Sequence, residues 1–355
     1  MIFIVPNLAS NIGYKINTED YYVRQVADGY DELIFEVSIW DQYANQIVEE
    51  TLIKESSVDV PGASLYLVKS IDRGKNTMTV KCSLYLDQWK STMLESYTPE
   101  GETVTPEDIV SDILPERWFI QSGAPTFTPV PADMASFEYV TPLDVLDKIR
   151  ELFPGLTYRF LLGRSGGIVG GSIEIIKMDA TTEVSAVLCK DYNLRATYYK
   201  GKSSSMVTRL YVTGKDGMTF ADINDGKPYV EDNSYKGATI CGYWKASEYS
   251  DADTLLAAAQ ARLAEMAWPT RSFDCDVVDL QAVTHSTTGT PYDLPLFGVV
   301  KIADETIPSR YSNIVNRIVE KWIHPDHPER NRIILSTAPA RIQSQVQQLL
   351  KKVNQ

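Results

Sequence analysis

Between Met206 and Tyr235 the chain reads MVTRLYVTGKDGMTFADINDGKPYVEDNSY, and the punctuation of this stretch restricts it to short strands joined by tight turns. Val207 to Thr213 reads as a strand and runs into Gly214-Lys215-Asp216-Gly217, where glycine accepts the positive φ of a turn without steric cost. A second extended piece leads to Asn224-Asp225-Gly226, another turn signal, after which Tyr229-Val230-Glu231-Asp232 resumes an extended course.

The same grammar governs most of the chain. Tyr22 to Val26 and Leu33 to Ile39 alternate about the turn Asp28-Gly29-Tyr30-Asp31, and Ser64 to Ile71 and Thr77 to Leu84 flank Arg73-Gly74-Lys75-Asn76 as a hairpin. Such alternation is what the wall of a small barrel requires. Near Met93 the pattern changes. Thr105-Pro106-Glu107-Asp108 and Thr141-Pro142-Leu143-Asp144 each present a Thr N-cap, Pro at the first helical position and an acid in the first turn. The second helix gathers Leu143, Leu146, Ile149, Arg150 and Phe153 on one side and ends at Pro154-Gly155. Strands Leu156 to Leu162 and Ser172 to Met178 then bracket a glycine-rich tip at positions 163, 166, 167, 170 and 171. Asp251 to Ala267 is a further helix, with Leu255, Ala259, Leu263 and Met266 at helical spacing, and Pro269 follows its end. Strands return at Phe273 to Leu280, Gly298 to Ile302, Val315 to Ile323 and Arg332 to Leu335.

The expected fold class is therefore α+β, mostly antiparallel β, with two small barrel-like β domains, an α+β middle domain and a C-terminal helix. Its parts are 1–95 as the N-terminal barrel-like domain, 96–202 as the α+β domain joined by the excursion 219–270, 203–337 as the second barrel-like domain, and 338–355 as the helix. In that last segment Ile342, Val346, Leu349 and Val353 form an a/d seam. It reads either as a surface for self-association or as a helix docked on its own domain.

Composition removes several function classes. A 44% hydrophobic and 23% charged content is ordinary for a globular protein. The opening Met1 to Val5 stops at Pro6 without a basic leader, so export through a signal peptide is not expected. A net charge of −13 disfavours a nucleic-acid grip, which relies on clustered Lys and Arg. It suits either a solvated acidic surface or a surface that DNA passes without sticking.

Candidate chemistry is sparse. Cys82, Cys189, Cys241 and Cys275 stand far apart with no CxxC, which points to buried thiols. Cys241 or Cys275 with His285 is the one conceivable cysteine-nucleophile pairing. His324-Pro325-Asp326-His327-Pro328 brings two His and an Asp close in sequence, but its prolines prevent the single helical face of HExxH and favour a polar turn. The glycine-rich tip lacks the GK[ST] of a phosphate loop and leads into a strand. Glu231-Asp232 and Asp274 with Asp276 are carboxylate pairs, the latter on one strand face, where an exposed sheet surface accounts for them. The 20 tyrosines and 6 tryptophans fall mostly inside strands, as core and interface aromatics do, although a sugar-binding face is the competing reading. No cofactor, metal or catalytic residue is expected.

The order of an Arg-Leu-Tyr strand, a Gly-Lys-Asp-Gly turn, an Asn-Asp-Gly turn and a Tyr-Val-Glu-Asp segment resembles the phage minor structural protein family, also called prophage tail endopeptidase or tail-associated lysin. That family's N-terminal region is similar to the trimeric central hub of contractile-tail baseplates. The resemblance spans most of 1–340 and is densest from Ser203 to Leu280; Val212-Thr213 departs from the family, in which many relatives carry Pro. It implies a virion structural protein of the tail tip, made in the host bacterial cytoplasm. It also implies a homotrimer, with a distal tail protein and fibre or lysin components as partners. DNA would pass through without being bound, and no membrane is involved. The alternative it carries is a peptidoglycan-cleaving endopeptidase, although in lysin-bearing relatives the hydrolase is a separate module C-terminal to the hub region.

Overall fold

The computed structural model describes residues 1–8, 13–27, 29–56, 64–153, 155–165, 168–177, 184–190, 192–247, 249–278, 294, 296–305 and 316–336. The proposed seam of Ile342, Val346, Leu349 and Val353 lies outside them. The chain divides into two compact units, Met1–Tyr198 with Phe273–Ser336, and Tyr199–Ser272.

The larger unit begins with β1 (Ile2–Val5), β2 (Tyr14–Ile16), β3 (Thr18–Val26), β4 (Glu32–Ser38), β5 (Leu52–Glu55), β6 (Ser64–Arg73) and β7 (Thr77–Leu84). The middle region adds β8 (Leu94–Tyr97), β9 (Thr103–Val104), α1 (Pro106–Ile113), β10 (Trp118–Ile120), β11 (Val130–Pro131), β12 (Phe137–Val140), α2 (Pro142–Leu152), β13 (Leu156–Ser165) and β14 (Ile168–Lys177). After β15 (Val184–Cys189), the strand β16 (Leu194–Lys202) leads into the smaller unit, which holds β17 (Arg209–Thr213), β18 (Tyr229–Glu231), β19 (Cys241–Lys245) and α3 (Ala252–Met266). The chain returns through β20 (Thr270–Val277) and ends its described course in β21 (Val299–Ala303), β22 (Asn316–Ile323) and β23 (Arg332–Ser336). The fold is α+β and mostly antiparallel β, with three α-helices among the described residues.

Thirteen strands form one sheet in the order β16-β20-β23-β22-β3-β4-β7-β6-β5-β1-β2, with β21 beside β22 and β15 beside β21. Period-two alternation builds it: β7 buries Met78, Val80, Cys82 and Leu84 and turns the residues between them outward. The segments expected to make two separate barrels thus share one sheet, and its strand order closes no barrel among the described residues. Two apolar cores nonetheless remain distinct. One contains Ile4, Phe35, Val80, Trp89, Ile109, Leu146 and Ile173, and so joins the first strands to the helices of the middle region. The other contains Ala186, Leu188, Phe273, Cys275, Val300 and Leu335. Strand β22 serves both, giving Ile323 to the first and Ile318 to the second. Its register with β23 shifts between Ile318 and Glu320, a bulge that adds twist where the sheet passes from one core to the other.

Local signals explain the helices. Thr105 and Thr141 each accept from the backbone N–H of the residue three positions on, Asp108 and Asp144, whose carboxylates accept in return from the Thr backbone at 2.8 Å. Asp251 caps α3 through the Thr254 N–H at 2.9 Å. The glycine-rich tip differs from its expectation: β13 and β14 pair continuously from Leu156↔Lys177 to Ser165↔Ile168, so Gly163, Gly170 and Gly171 are strand residues. A Cβ at Gly170 would lie 2.6 Å from the Arg117 carbonyl oxygen and one at Gly171 would lie 3.2 Å from the Trp118 ring, so glycine admits β10 beside this hairpin.

One titratable group in this unit links stability to pH. Asp31, at the head of β4, accepts from Gln25 Nε2 at 3.3 Å, and burial pushes its carboxyl up from 3.8 to about 6. Between these values the folded chain holds a proton that the unfolded chain has lost, so the stabilisation is complete below the lower value and disappears as pH rises through the upper one. Asp31→Asn removes the titration while keeping an acceptor for Gln25. Urea midpoints should therefore shift in favour of the variant as pH is raised from 4 to 7; parallel midpoint curves would refute the assignment.

Candidate functional site

On the larger unit, side chains from five adjacent strands form a continuous ladder. Arg24 on β3 stands opposite Glu32 on β4 and Trp322 on β22, and Trp322 stands opposite Arg332 on β23. Arg24 donates from Nε to Glu320 Oε1 at 2.7 Å and from Nη2 to Oε2 at 3.0 Å, while its Nη1 donates to Glu32 Oε2 at 2.7 Å. The Trp322 indole N–H also donates to Glu320. Tyr22 stacks on Trp322 with planes 2° apart and centroids separated by 5.0 Å, and the Arg332 guanidinium lies 4.8 Å from the same ring's centroid. Arg332 grips Asp274 on β20 through both Nε and Nη2. Asp274 is therefore a buried, paired carboxylate and not the exposed surface acid expected from alternation alone.

At the end of this ladder the segment His324 to Asn331 turns between β22 and β23, as its prolines implied. His324 is buried, with Nδ1 3.4 Å from Asp20 Oδ1; burial holds its pKa below the ordinary value, against the opposing pull of Asp20. Arg330 donates to Asp20 at 3.1 Å, and half-buried His327 sits 3.2 Å from Glu329. The two histidines thus take separate carboxylate partners. Among the described residues no group of three His, Cys, Asp or Glu side chains is placed to hold a metal ion.

The buried thiols Cys82 and Cys275 do not have the environment of a nucleophile, which requires a lowered pKa. Burial raises Cys82 well above the ordinary thiol range and pushes Cys275 up to about 12. Cys189 is half-buried and Cys241 exposed, while His285, the conceivable base, lies outside the described residues. Glu231 accepts from Arg209, Asn233 and Thr239, and Asp232 accepts from the Ser234 N–H, so this acidic pair is committed to local structure.

The smaller unit presents a face of different character. Its sheet has the order β18-β17-β19, antiparallel on one side and parallel on the other. Leu210, Val212 and Val230 pack with Leu255, Ala259 and Leu263 of α3 into a core of their own. The opposite face carries Tyr229, Tyr211 and Tyr243 in register across all three strands, with Arg209 and Glu231 at one end and Thr213 and Lys245 at the other. Beside them opens a groove of about 520 Å³ lined by Tyr211, Thr213, Thr219, Pro228, Cys241 and Tyr243. The turns that frame it depart from expectation in one respect: Gly217 and Asp216 take positive φ, at 79° and 54°, whereas Gly214 is extended. Gly214 is needed for space, since a Cβ would fall 2.7 Å from the Tyr249 carbonyl oxygen. The piece read as extended after this turn is a 3-10 turn at Ala221–Ile223.

Residues 182–346, which include this whole unit, match the prophage endopeptidase tail family. A likeness in fold extends beyond the matched region. Prophage tail protein gp18 from Listeria monocytogenes EGD-e aligns over 100% of this chain and 99% of its own, with a TM-score of 0.64 at 11% identity. The 43 kDa tail protein of prophage MuSo2 from Shewanella oneidensis aligns over 96% and 98%, with a TM-score of 0.62 at 12% identity. The tail protein from Neisseria meningitidis MC58 aligns over 94% and 95%, with a TM-score of 0.58 at 10% identity. At these identities the likeness is one of fold. No curated protein sequence matches the chain.

The ladder residues Arg24, Glu320, Trp322 and Arg332 carried no signal in sequence, because Arg24 and Glu320 are 296 positions apart. The tyrosine row likewise depends on a parallel β17–β19 pairing that alternation within either strand does not specify.

Proposed function

We propose that this chain is a structural component of a phage or prophage tail tip, a baseplate hub protein. Three copies close a ring that continues the tail tube, with a distal tail protein on one side and fibre or lysin components on the other. The observation that carries this reading is the fold likeness to prophage tail protein gp18 along the full length of both chains. A sheet that runs unbroken from one core to a second supports it, because the two halves can act as paired wall segments and turn a trimer into a near-sixfold ring. In this reading the two halves stand for the barrel-like domains expected at 1–95 and 203–337, the second half of the sheet being built by β15, β16 and β20 to β23, with 338–355 as a helix at the three-fold axis. The net charge of −13 supports an acidic lumen through which DNA passes without adhering. Assembly takes place in the host bacterial cytoplasm, and the mature location is the virion tail tip.

The test is mass in solution and on the particle. Light scattering of the purified chain over a range of concentrations should approach three times 39.8 kDa, and Ile342→Asp with Leu349→Asp should shift the population towards monomer. Single copies in cross-linked tails as well as in solution would overturn the ring. The family's description names an endopeptidase, and this supports the second reading, a peptidoglycan-cleaving enzyme. Clearing of purified cell wall in a zymogram, abolished by one Cys, His or Glu substitution, would establish that reading instead.

A further inference from the structure

We propose that the tyrosine-bearing face of β17, β18 and β19 binds an uncharged, extended oligosaccharide. The proposal rests on this face alone and is independent of the hub reading. Tyr211 faces Tyr229 on one neighbouring strand and Tyr243 on the other, with the Tyr211 and Tyr229 centroids 5.1 Å apart. Adjacent strands are spaced about 4.8 Å apart, which sets the three rings side by side; Tyr211 and Tyr229 meet with planes 52° apart and Arg209 lies over Tyr229, so Tyr243 is the ring that offers an open face. A sugar ring offers C–H faces for stacking and a rim of hydroxyls, and this surface answers both. The aromatic faces stand beside hydroxyl groups of Tyr211, Tyr243, Thr213 and Thr219 around a groove of about 520 Å³. Tyr243 is 65% exposed, and its hydroxyl is held 2.6 Å from Thr213 Oγ1, which fixes the ring without covering it.

Charge and size decide between possible occupants. Arg209 lies 4.5 Å from the Tyr229 ring centroid and is neutralised by Glu231 at 2.9 Å, which leaves Lys245 as the face's remaining cation in register. A strand of nucleic acid needs a basic groove along its backbone, which this face does not provide. Three strands of at most five residues present about 10 by 17 Å, far below the roughly 800 Å² per partner of a stable protein interface. A short, neutral, polyhydroxylated chain fits both limits.

Titration calorimetry of the full chain with chitotetraose and with cellotetraose, both uncharged and extended, tests the proposal. At least one should bind saturably, with affinity reduced at least tenfold by Tyr243→Ala and less by Tyr243→Phe, while the far-ultraviolet circular dichroism stays that of the parent. Absence of saturable binding by both sugars would overturn the proposal, as would equal affinity for the Tyr243→Ala chain. So would a Tyr243→Ala chain that changes the mass of the assembly without changing sugar binding, since the face would then be a protein contact.

Discussion

Replacing Trp89 with alanine is expected to lower the stability of the larger unit by about 4 kcal/mol, the upper range for truncating a buried aromatic residue. Trp89 closes the 3-10 turn Asp87–Trp89 after β7 and has no accessible surface. Its ring meets Trp118 of β10 edge-on at 5.3 Å and Phe160 of β13 at 5.5 Å, while Trp118 and Phe160 meet each other at 5.9 Å. The Trp118 indole N–H donates to Gln88 Oε1 at 2.6 Å, tying β10 to the same turn. The turn that follows β7 and two strands of a second sheet therefore share one side chain, and deletion leaves a cavity that none of them can fill alone. Each ring pair adds roughly 0.5–1.5 kcal/mol beyond area burial. The Trp89 indole N–H has no acceptor among the described residues, so Trp89→Phe loses no hydrogen bond and is expected to cost about 1–2 kcal/mol. Urea denaturation followed through tryptophan emission reads the difference as a shift in midpoint. A Trp89→Ala chain within about 1 kcal/mol of the parent would show that the turn repacks and that this cluster does not hold the middle region to the sheet.

What could be read in the sequence follows the range of the forces involved. The helix starts were legible because Thr, Pro and Asp within four positions complete each cap, as the boxes at Thr105 and Thr141 do. The turn after β22 was legible because its prolines act on their own neighbours. Alternation disclosed which residues of a strand share a face, but not what lies over that face. Alternation alone makes Asp274 a surface acid, while Arg332 holds it in a buried pair. Nor does alternation fix partner order. β3 pairs with β22, so the first and last described segments share one sheet that local patterning divides into two domains. The tyrosine row was invisible for the same reason: each tyrosine sits in its own strand at an unremarked outward position, and only the pairing of three strands brings them together.

The β3–β22 seam is where continuity of that sheet can be tested. Arg24→Met is expected to cost about 3 kcal/mol, near the lower end for breaking a buried ion pair, because Arg24 retains slight exposure and Trp322 continues to donate to Glu320. The cost arises less from the lost attraction than from the Glu320 carboxylate, which is 3% exposed and would be left without its forked cation. Replacing that carboxylate with a neutral amide of the same shape should restore much of the loss: Arg24→Met with Glu320→Gln is expected to fall short of the parent by less than half the single-variant deficit, since the amide oxygen still accepts from Trp322. Denaturant midpoints of the four chains in the double-mutant cycle measure the effect. A double variant no more stable than Arg24→Met would mean that packing, not charge, holds β3 against β22. An Arg24→Met chain as stable as the parent would remove the seam from any account of how the two cores act as one wall, because the remaining main-chain pairing from Val23 to Val26 would then suffice to join them.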